Sequence, residues 1–315
     1  MDIKENFLRA IKFKNPEWVP TERESLFRQI TYENDYLGPE ESGIDLWGVE
    51  WESRDPRVMP LCTRHPLLIE DEKAIADFKP PDISKIKIDS ESQKILSSSE
   101  RKDLILLGFH PQTLFERAWM LASMEGFMTA IALYPERIRI LFSKIMDFNI
   151  KVAEIFLSRA VDGCYLNDDF GSQTSLMLSP AMWRELIKPE YKRIISLYKS
   201  KGKIVFLHSC GCIQQIIPDL IELGINILNP VQARANNLKE IGEKFSGKIV
   251  FCGGIDTQYT LMLGTPDDVR KEVRQCMDYL KGKNGGFIIG PDQSMPFPKE
   301  NEEALYDEAR IRGKY

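Results

Sequence analysis

From Asp103 to the C-terminus, short apolar and β-branched runs alternate with longer stretches of helical spacing, and this rhythm limits the fold more than any other feature of the chain. The runs are Leu104 to Phe109, Gly163 to Leu166, Lys203 to His208, Ile225 to Leu228, Lys248 to Cys252 and Gly286 to Ile289. Strands separated by helix-length segments predict parallel pairing through crossover helices. A further short strand over Trp18 to Arg23 brings the count close to the eight of a closed (β/α)8 barrel, the TIM barrel. An open doubly wound sheet would usually carry a Gly-rich phosphate turn after its first strand, and the chain has neither a GxGxxG nor a Walker sequence. Ser179-Pro180 and Thr265-Pro266-Asp267-Asp268 each put a capping side chain ahead of an N1 proline, so both predict helix starts.

The 315 residues suit one such barrel as a single domain over 1–315, with residues 101–315 carrying the main βα repeats. Residues 1–100 are interrupted by Pro16, Pro20, Pro39, Pro56, Pro60, Pro66, Pro80 and Pro81. They predict an opening helix and then loops covering the barrel mouth, with Trp47-Gly48-Val49-Glu50-Trp51 as a hairpin arm. A net charge of -5 gives no broad attraction to phosphate backbones or anionic lipid, which argues against nucleic acid and membrane partners. No apolar run approaches a membrane span and the first residues are charged, so a cytoplasmic location is expected. The 6 cysteines are scattered through a long chain. In a reducing compartment they read as free thiols or metal ligands. Barrels of this size often pair through helix faces, and a homodimer is an expectation for which the sequence offers no particular face.

Polar residues directly after barrel strands face the catalytic mouth, so strand ends supply the candidates. Asn167-Asp168-Asp169-Phe170-Gly171-Ser172-Gln173 sets two carboxylates side by side. Their repulsion can raise one pKa for proton transfer, or the pair can hold a cation; the alternative is that one caps the next element and the other is solvated. His208-Ser209-Cys210 places an imidazole and a thiol two residues apart, both preferred by zinc; a satisfied buried histidine beside an inert thiol is the alternative. Asn229-Pro230-Val231-Gln232 and Cys252-Gly253-Gly254-Ile255-Asp256-Thr257-Gln258 add amides and a carboxylate, with Asp256 equally readable as a helix cap. Asp292 suits a metal shell, a substrate contact or a plain turn. Upstream, His110 and Glu116-Arg117 follow a strand, with Arg117 either a carboxylate clamp or a structural ion pair.

These segments together resemble the uroporphyrinogen decarboxylase superfamily, in particular its decarboxylase-like and corrinoid-linked methyltransferase members. The resemblance rests on Asn167 to Gln173 followed by Ser179-Pro180, on His208-Ser209-Cys210-Gly211, and on Ile227-Leu228-Asn229-Pro230-Val231-Gln232. It continues through Gly253 to Gln258, Gly285-Gly286-Phe287-Ile288 and the closing Glu300-Asn301 to Tyr315. It implies a (β/α)8 barrel with a deep cleft and two competing activities. The decarboxylases need no cofactor and bind acidic side chains of a porphyrinogen through N-terminal arginines, with an aspartate centred on the pyrrole N–H groups. The methyltransferases use zinc held by a His-x-Cys pair and a later cysteine, and work with a corrinoid protein or a thiol.

This chain departs from both patterns. Pro20 to Gln29 keeps Arg23 and Arg28 without the decarboxylase's Pro-Val-Trp-x-Met-Arg-Gln-Ala-Gly, and the late cysteine's place reads Pro291-Asp292-Gln293. The resulting expectation is a zinc-dependent methyltransferase moving a methyl group between a small methylated compound and a corrinoid protein or a thiol, with His208 and Cys210 on the metal and Asp292, or else Asp168 or a water, as its remaining ligand. Asp168, Asp169 and Asp256 are then the catalytic candidates, and Arg23, Arg28, His110, Arg117, Gln173, Gln232 and Gln258 the substrate contacts. A cofactor-independent decarboxylase of a polycarboxylate is the second expectation, and a non-catalytic binding subunit the third.

Overall fold

The computed structural model describes residues 1–24, 26–33, 41–55 and 60–315. Pro39 and Pro56, read above as chain breaks, fall outside them. Seven parallel strands form one curled sheet in the order β1 (Phe27–Ile30), β5 (Ile105–His110), β6 (Gly163–Asn167), β7 (Ile204–His208), β8 (Ile227–Asn229), β9 (Val250–Ile255) and β10 (Phe287–Pro291). Helices connect most of these strands, as the alternating sequence predicts. Three short strands, β2 (Gly43–Ile44), β3 (Glu50–Glu52) and β4 (Leu61–Arg64), make a separate antiparallel sheet. The expected arm at Trp47 to Trp51 enters that sheet through β3.

The mixed α/β architecture and curled parallel sheet are compatible with a TIM-like barrel, but the eighth strand differs from the expectation. Over Trp18 to Arg23 there are only isolated bridges, Trp18 with Lys314 and Thr21 with Ile289, before a 3-10 turn at Glu22–Glu24. Pro20 has no N–H to donate to a ladder, and the Glu24 N–H turns back to the Thr21 carbonyl at 3.1 Å. The Pro20 carbonyl accepts from the Ile289 N–H at 3.0 Å, which brings this segment against the edge of β10. Regular pairing starts only at Phe27, opposite Ile105.

Successive side chains of a strand point to opposite faces. On the inner face Ile105, Leu107, Phe206, Ile227, Val250, Cys252 and Ile288 meet Phe7 and Ile11 of the first helix, Ile3–Ile11. Aromatic rings then climb through the interior. Phe7 meets Phe27 edge-on at 5.0 Å, Phe27 meets Phe206 at 5.3 Å, and Tyr165 stacks on Phe206 at 4.5 Å and beside His208 at 6.1 Å. On the outer face Leu106, Cys164, Leu166, Val205, Leu207 and Phe251 pack in the larger core against the helices. The register sets Asn167 beside His208 and His208 beside Asn229, so three strand ends finish in one row. Gly163 is needed for that alignment, because a Cβ there would lie 2.3 Å from the Ile204 carbonyl oxygen.

Both predicted helix starts are present. Ser179 Oγ accepts from the Met182 N–H at 3.2 Å, and Thr265 and Asp268 form a reciprocal capping box ahead of Pro266–Leu280. No helix among the described residues is long and apolar enough to cross a membrane.

A buried ion pair attaches the N-terminal layer. Asp45 accepts from Arg117 Nη1 at 2.7 Å, from Trp51 Nε1 at 3.0 Å and from the Trp47 and Val49 backbone N–H groups at 2.9 Å each. Arg117 is 1% exposed and lies over the Trp47 ring. Removing the cation leaves a buried carboxylate, so Arg117→Met should cost about 3 kcal/mol in urea unfolding. The double variant Arg117→Met/Asp45→Leu should be less destabilised than the sum of its two single changes.

Candidate metal centre

Face alternation continues for two residues past β6 and β7, and this decides which strand-end groups meet. Asn167 and Asp169 follow Tyr165 inward, and His208 and Cys210 follow Phe206 inward. Cys210 Sγ stands 3.4 Å from His208 Nε2, and Asp169 Oδ1 stands 3.8 Å from the same nitrogen. One ligand atom from each of the three lies within 4.8 Å of the others.

Their neighbours hold this arrangement. His208 Nδ1 donates to Asn229 Oδ1 at 2.7 Å, while Asn229 Nδ2 points at the Cys252 carbonyl and Glu22 Oε1, 3.4 and 3.5 Å away. With its proton on Nδ1, the ring presents Nε2 as a lone pair towards Cys210 and Asp169. Cys210 donates its backbone N–H to Asp169 Oδ1 at 2.7 Å. The two loops lock backbone to backbone. The Cys212 N–H reaches the Ser172 carbonyl at 2.7 Å, and Gly211, at φ +83°, passes so near Gly171 that a Cβ would sit 2.2 Å from its carbonyl oxygen. Gln232 Oε1 accepts from the Gly211 N–H at 2.8 Å.

The donor set fits zinc. Two ligands of a tetrahedral zinc stand roughly 3.3–3.8 Å apart; the two spacings to His208, 3.4 and 3.8 Å, fall in that range, and all three atoms lie within 4.8 Å of one another. Burial, and after it the nearby Asp169 carboxylate, pushes the Cys210 thiol up to about 12, against a Gln293 hydrogen bond that pulls it down. A divalent cation supplies the charge that lets such a thiol ionise.

The trio opens onto a cavity of about 780 Å³ at the C-terminal ends of the strands. Phe109, Asn167 and His208 reach it from strands, Glu116 and Trp119 from the helix Phe115–Ala122, and Trp51, Leu61 and Cys62 from the small antiparallel sheet above. Glu116 accepts from Asn167 Nδ2 at 3.2 Å. Burial first, then Asp169 and Asp168, hold its carboxyl well above the usual range.

Other candidates lie elsewhere. Asp168 faces outward and is 0% exposed, accepting from the Leu114, Phe115 and Glu116 N–H groups and from Tyr191 Oη at 2.7–3.1 Å. It anchors the start of a helix instead of reaching the cavity. Burial lifts it to about 7 even though those donors favour its ionised form. His110, also outward, joins Asn149 Oδ1 and Tyr198 Oη at 2.9 Å each, and burial lowers it to about 4, so it stays neutral. Asp292, expected on the metal, spends its two oxygens on the Ala233 and Gly254 N–H groups at 3.1 and 3.2 Å. Asp256 accepts from Arg234 and from the N–H groups of Gln258, Tyr259 and Thr260, beside a different hollow. In both cases buried N–H groups of the loops need acceptors, and the carboxylates provide them.

The expected substrate contacts are placed as follows. Arg23 pairs with Glu302 and lies over Tyr306, and Arg28, exposed on the outer face of β1, donates to the Phe27 carbonyl. Arg117 is held by Asp45 and Gln112. Gln173 and Gln258 contact each other at 3.4 Å on exposed loops. Glu116, Asn229, Gln293 and Glu22 were not singled out from the sequence. Asn229 lies inside a segment read as a strand end, and Glu116 was read only as the neighbour of Arg117 after a strand.

Glu22 is enclosed inside the sheet, 3.3 Å from Cys252 Sγ. Burial raises its pKa from 4.5 to about 7, with the Cys252 contact pulling it down. An acid with a raised folded pKa binds more protons folded than unfolded, so it makes stability fall as pH rises from about 4.5 to about 7. The shift corresponds to about 3 kcal/mol at most. Glu22→Gln should therefore stabilise the protein more at pH 8 than at pH 5, a difference that urea unfolding of both proteins at the two pH values measures.

A methyltransferase from Methanosarcina mazei superposes with a TM-score of 0.68 at 17% identity, covering 98% of each chain, which shows a shared fold. A B12-independent methionine synthase from Shewanella sp. W3-18-1 is a weaker likeness, with a TM-score of 0.47 at 12% identity over 81% of this chain and 68% of that one. No curated protein matches the sequence. The family model for uroporphyrinogen decarboxylase (URO-D) matches residues 39–310, and the chain therefore belongs to the uroporphyrinogen decarboxylase family.

Proposed function

We propose that the protein is a zinc-dependent methyltransferase, moving a methyl group between a small methylated compound and either a thiol or the corrinoid of a partner protein. The observation that carries this is the convergence of Asp169, His208 and Cys210, one ligand atom from each within 4.8 Å of the others, on the edge of a substrate-sized cavity. Where the family's zinc enzymes have a late cysteine, this chain has Pro291-Asp292-Gln293, and Asp169 takes the third ligand's place. The M. mazei methyltransferase, alike over the whole chain, supports the same direction. We further read the sheet as a (β/α)8 barrel whose eighth stave is the segment through Pro20 and Thr21, and the location as cytoplasmic.

When bound, zinc supplies Lewis acidity, making an acceptor thiol a thiolate or a methyl donor's heteroatom a better leaving group at neutral pH. Three protein ligands leave the fourth position open to substrate. Asn229 holds the His208 ring in the ligating tautomer, and Gln293 Nε2 approaches Cys210 Sγ at 3.9 Å. Trp51, Leu61 and Cys62 cover the cavity and limit water.

A polycarboxylate decarboxylase fits less well, since Arg23, Arg28 and Arg117 all lie away from the cavity or are held by carboxylates. The intact ligand trio also argues against a lapsed binding subunit.

Elemental analysis of protein purified without chelator should find about one zinc per chain, lost in His208→Ala, Cys210→Ala and Asp169→Ala. Retention of zinc in Asp169→Ala with loss in Asp292→Ala would move the third ligand to Asp292, and absence of metal from wild type would sink the proposal. Asn229→Ala should weaken zinc binding roughly 10–100-fold in a chelator competition, because the ligand ring loses its orienting partner.

A further inference from the structure

We infer that the cavity selects a cationic substrate, specifically a methylated ammonium compound, over an anionic or neutral one of the same shape. This builds on the proposed function in taking the 780 Å³ cavity as the substrate site.

Among the described residues, no lysine or arginine lines the cavity. The ionisable groups that do are Glu116 and Asp169, together with His208 and two cysteines. An anionic substrate would enter with no counter-charge from these residues. Zinc would not reverse this, because a thiolate from Cys210 and a carboxylate from Asp169 balance its two charges. The guanidinium groups that could have served an anion are placed elsewhere, most plainly Arg117, which is paired with Asp45 outside the lining.

The rest of the wall is rich in aromatic rings: Tyr32, Trp51, Phe109 and Trp119 all line it. A ring face carries partial negative charge and attracts cations, and quaternary ammonium groups suit it best because they need no hydrogen-bond acceptors. The ring of Trp51 is fixed by its bond to Asp45 and that of Phe109 by an edge contact with Tyr165 at 5.4 Å. Rings, carboxyls and the absence of a lysine or arginine among the described lining residues together describe one ligand chemistry. It also suits the transfer: as the acceptor's electron pair forms the new bond to the methyl carbon, the C–N bond breaks, and nitrogen keeps the pair and leaves as a neutral amine. The acceptor is a two-electron nucleophile such as a thiolate.

The test is isothermal titration calorimetry of the full chain with three probes of one shape: choline, the uncharged 3,3-dimethyl-1-butanol and the anionic 3,3-dimethylbutanoate. Choline should bind roughly tenfold more tightly than either of the others. Trp119→Leu, which keeps apolar bulk and loses the ring, should weaken choline several-fold and leave the alcohol nearly unchanged. Equal binding of the three, tighter binding of the anion, or no choline binding at all overturns the inference. Zinc content is measured on the same samples. Bound zinc with no choline preference sinks this inference alone, and choline preference in zinc-free protein sinks the metal reading alone.

Discussion

Everything at this site depends on the two-residue period of an extended strand. In a curled parallel sheet one face turns inward and the other meets the helices, so each side chain's parity decides whether it reaches the mouth or the shell. Asp168 and Asp169 are neighbours in sequence with opposite fates: one is sealed against a helix N-terminus and the other meets His208 and Cys210. The same parity sends His208 inward and His110 outward, and turns Gln29 to the cavity while Arg28 faces away.

Parity alone does not fix distances. Those come from register and from the contact between two loops. Asn167, His208 and Asn229 finish level because Gly163 lets β6 and β7 approach, and the Gly171–Gly211 crossing draws the Asp169 and Cys210 loops together. Asn229 then orients the imidazole from the adjacent strand. The Asp169, His208 and Cys210 cluster is in this sense a product of three neighbouring strands, with each member's position enforced by backbone that no side chain could replace.

Buried acids recur through this interior. Glu22, Glu116, Asp168 and Asp292 are all pushed up by burial. Asp168 and Asp292 are occupied as acceptors of backbone N–H groups, a structural duty that explains why several carboxylates which look catalytic in one dimension are not available to substrate. Glu116 and Asp169 keep their access to the cavity and give it an acidic character, which the aromatic wall reinforces.

The alternation of strand-like and helical segments, the capped helix starts at Ser179 and Thr265 and the His208-Ser209-Cys210 spacing were all legible in the sequence, because they depend on local period and composition. The inward course of Asp169 was in principle legible too, by counting from Leu166. What the sequence did not contain was which acceptors the buried N–H groups of distant loops would claim. That decided the fates of Asp168, Asp256 and Asp292, and the pairing of Arg117 with Asp45 across 72 residues decided its own. Local order follows from neighbours along the chain, whereas the availability of a charged side chain follows from what tertiary folding packs against it. Only the second could bring Asp169 beside His208 and Cys210 and leave the cavity lined by acids and rings.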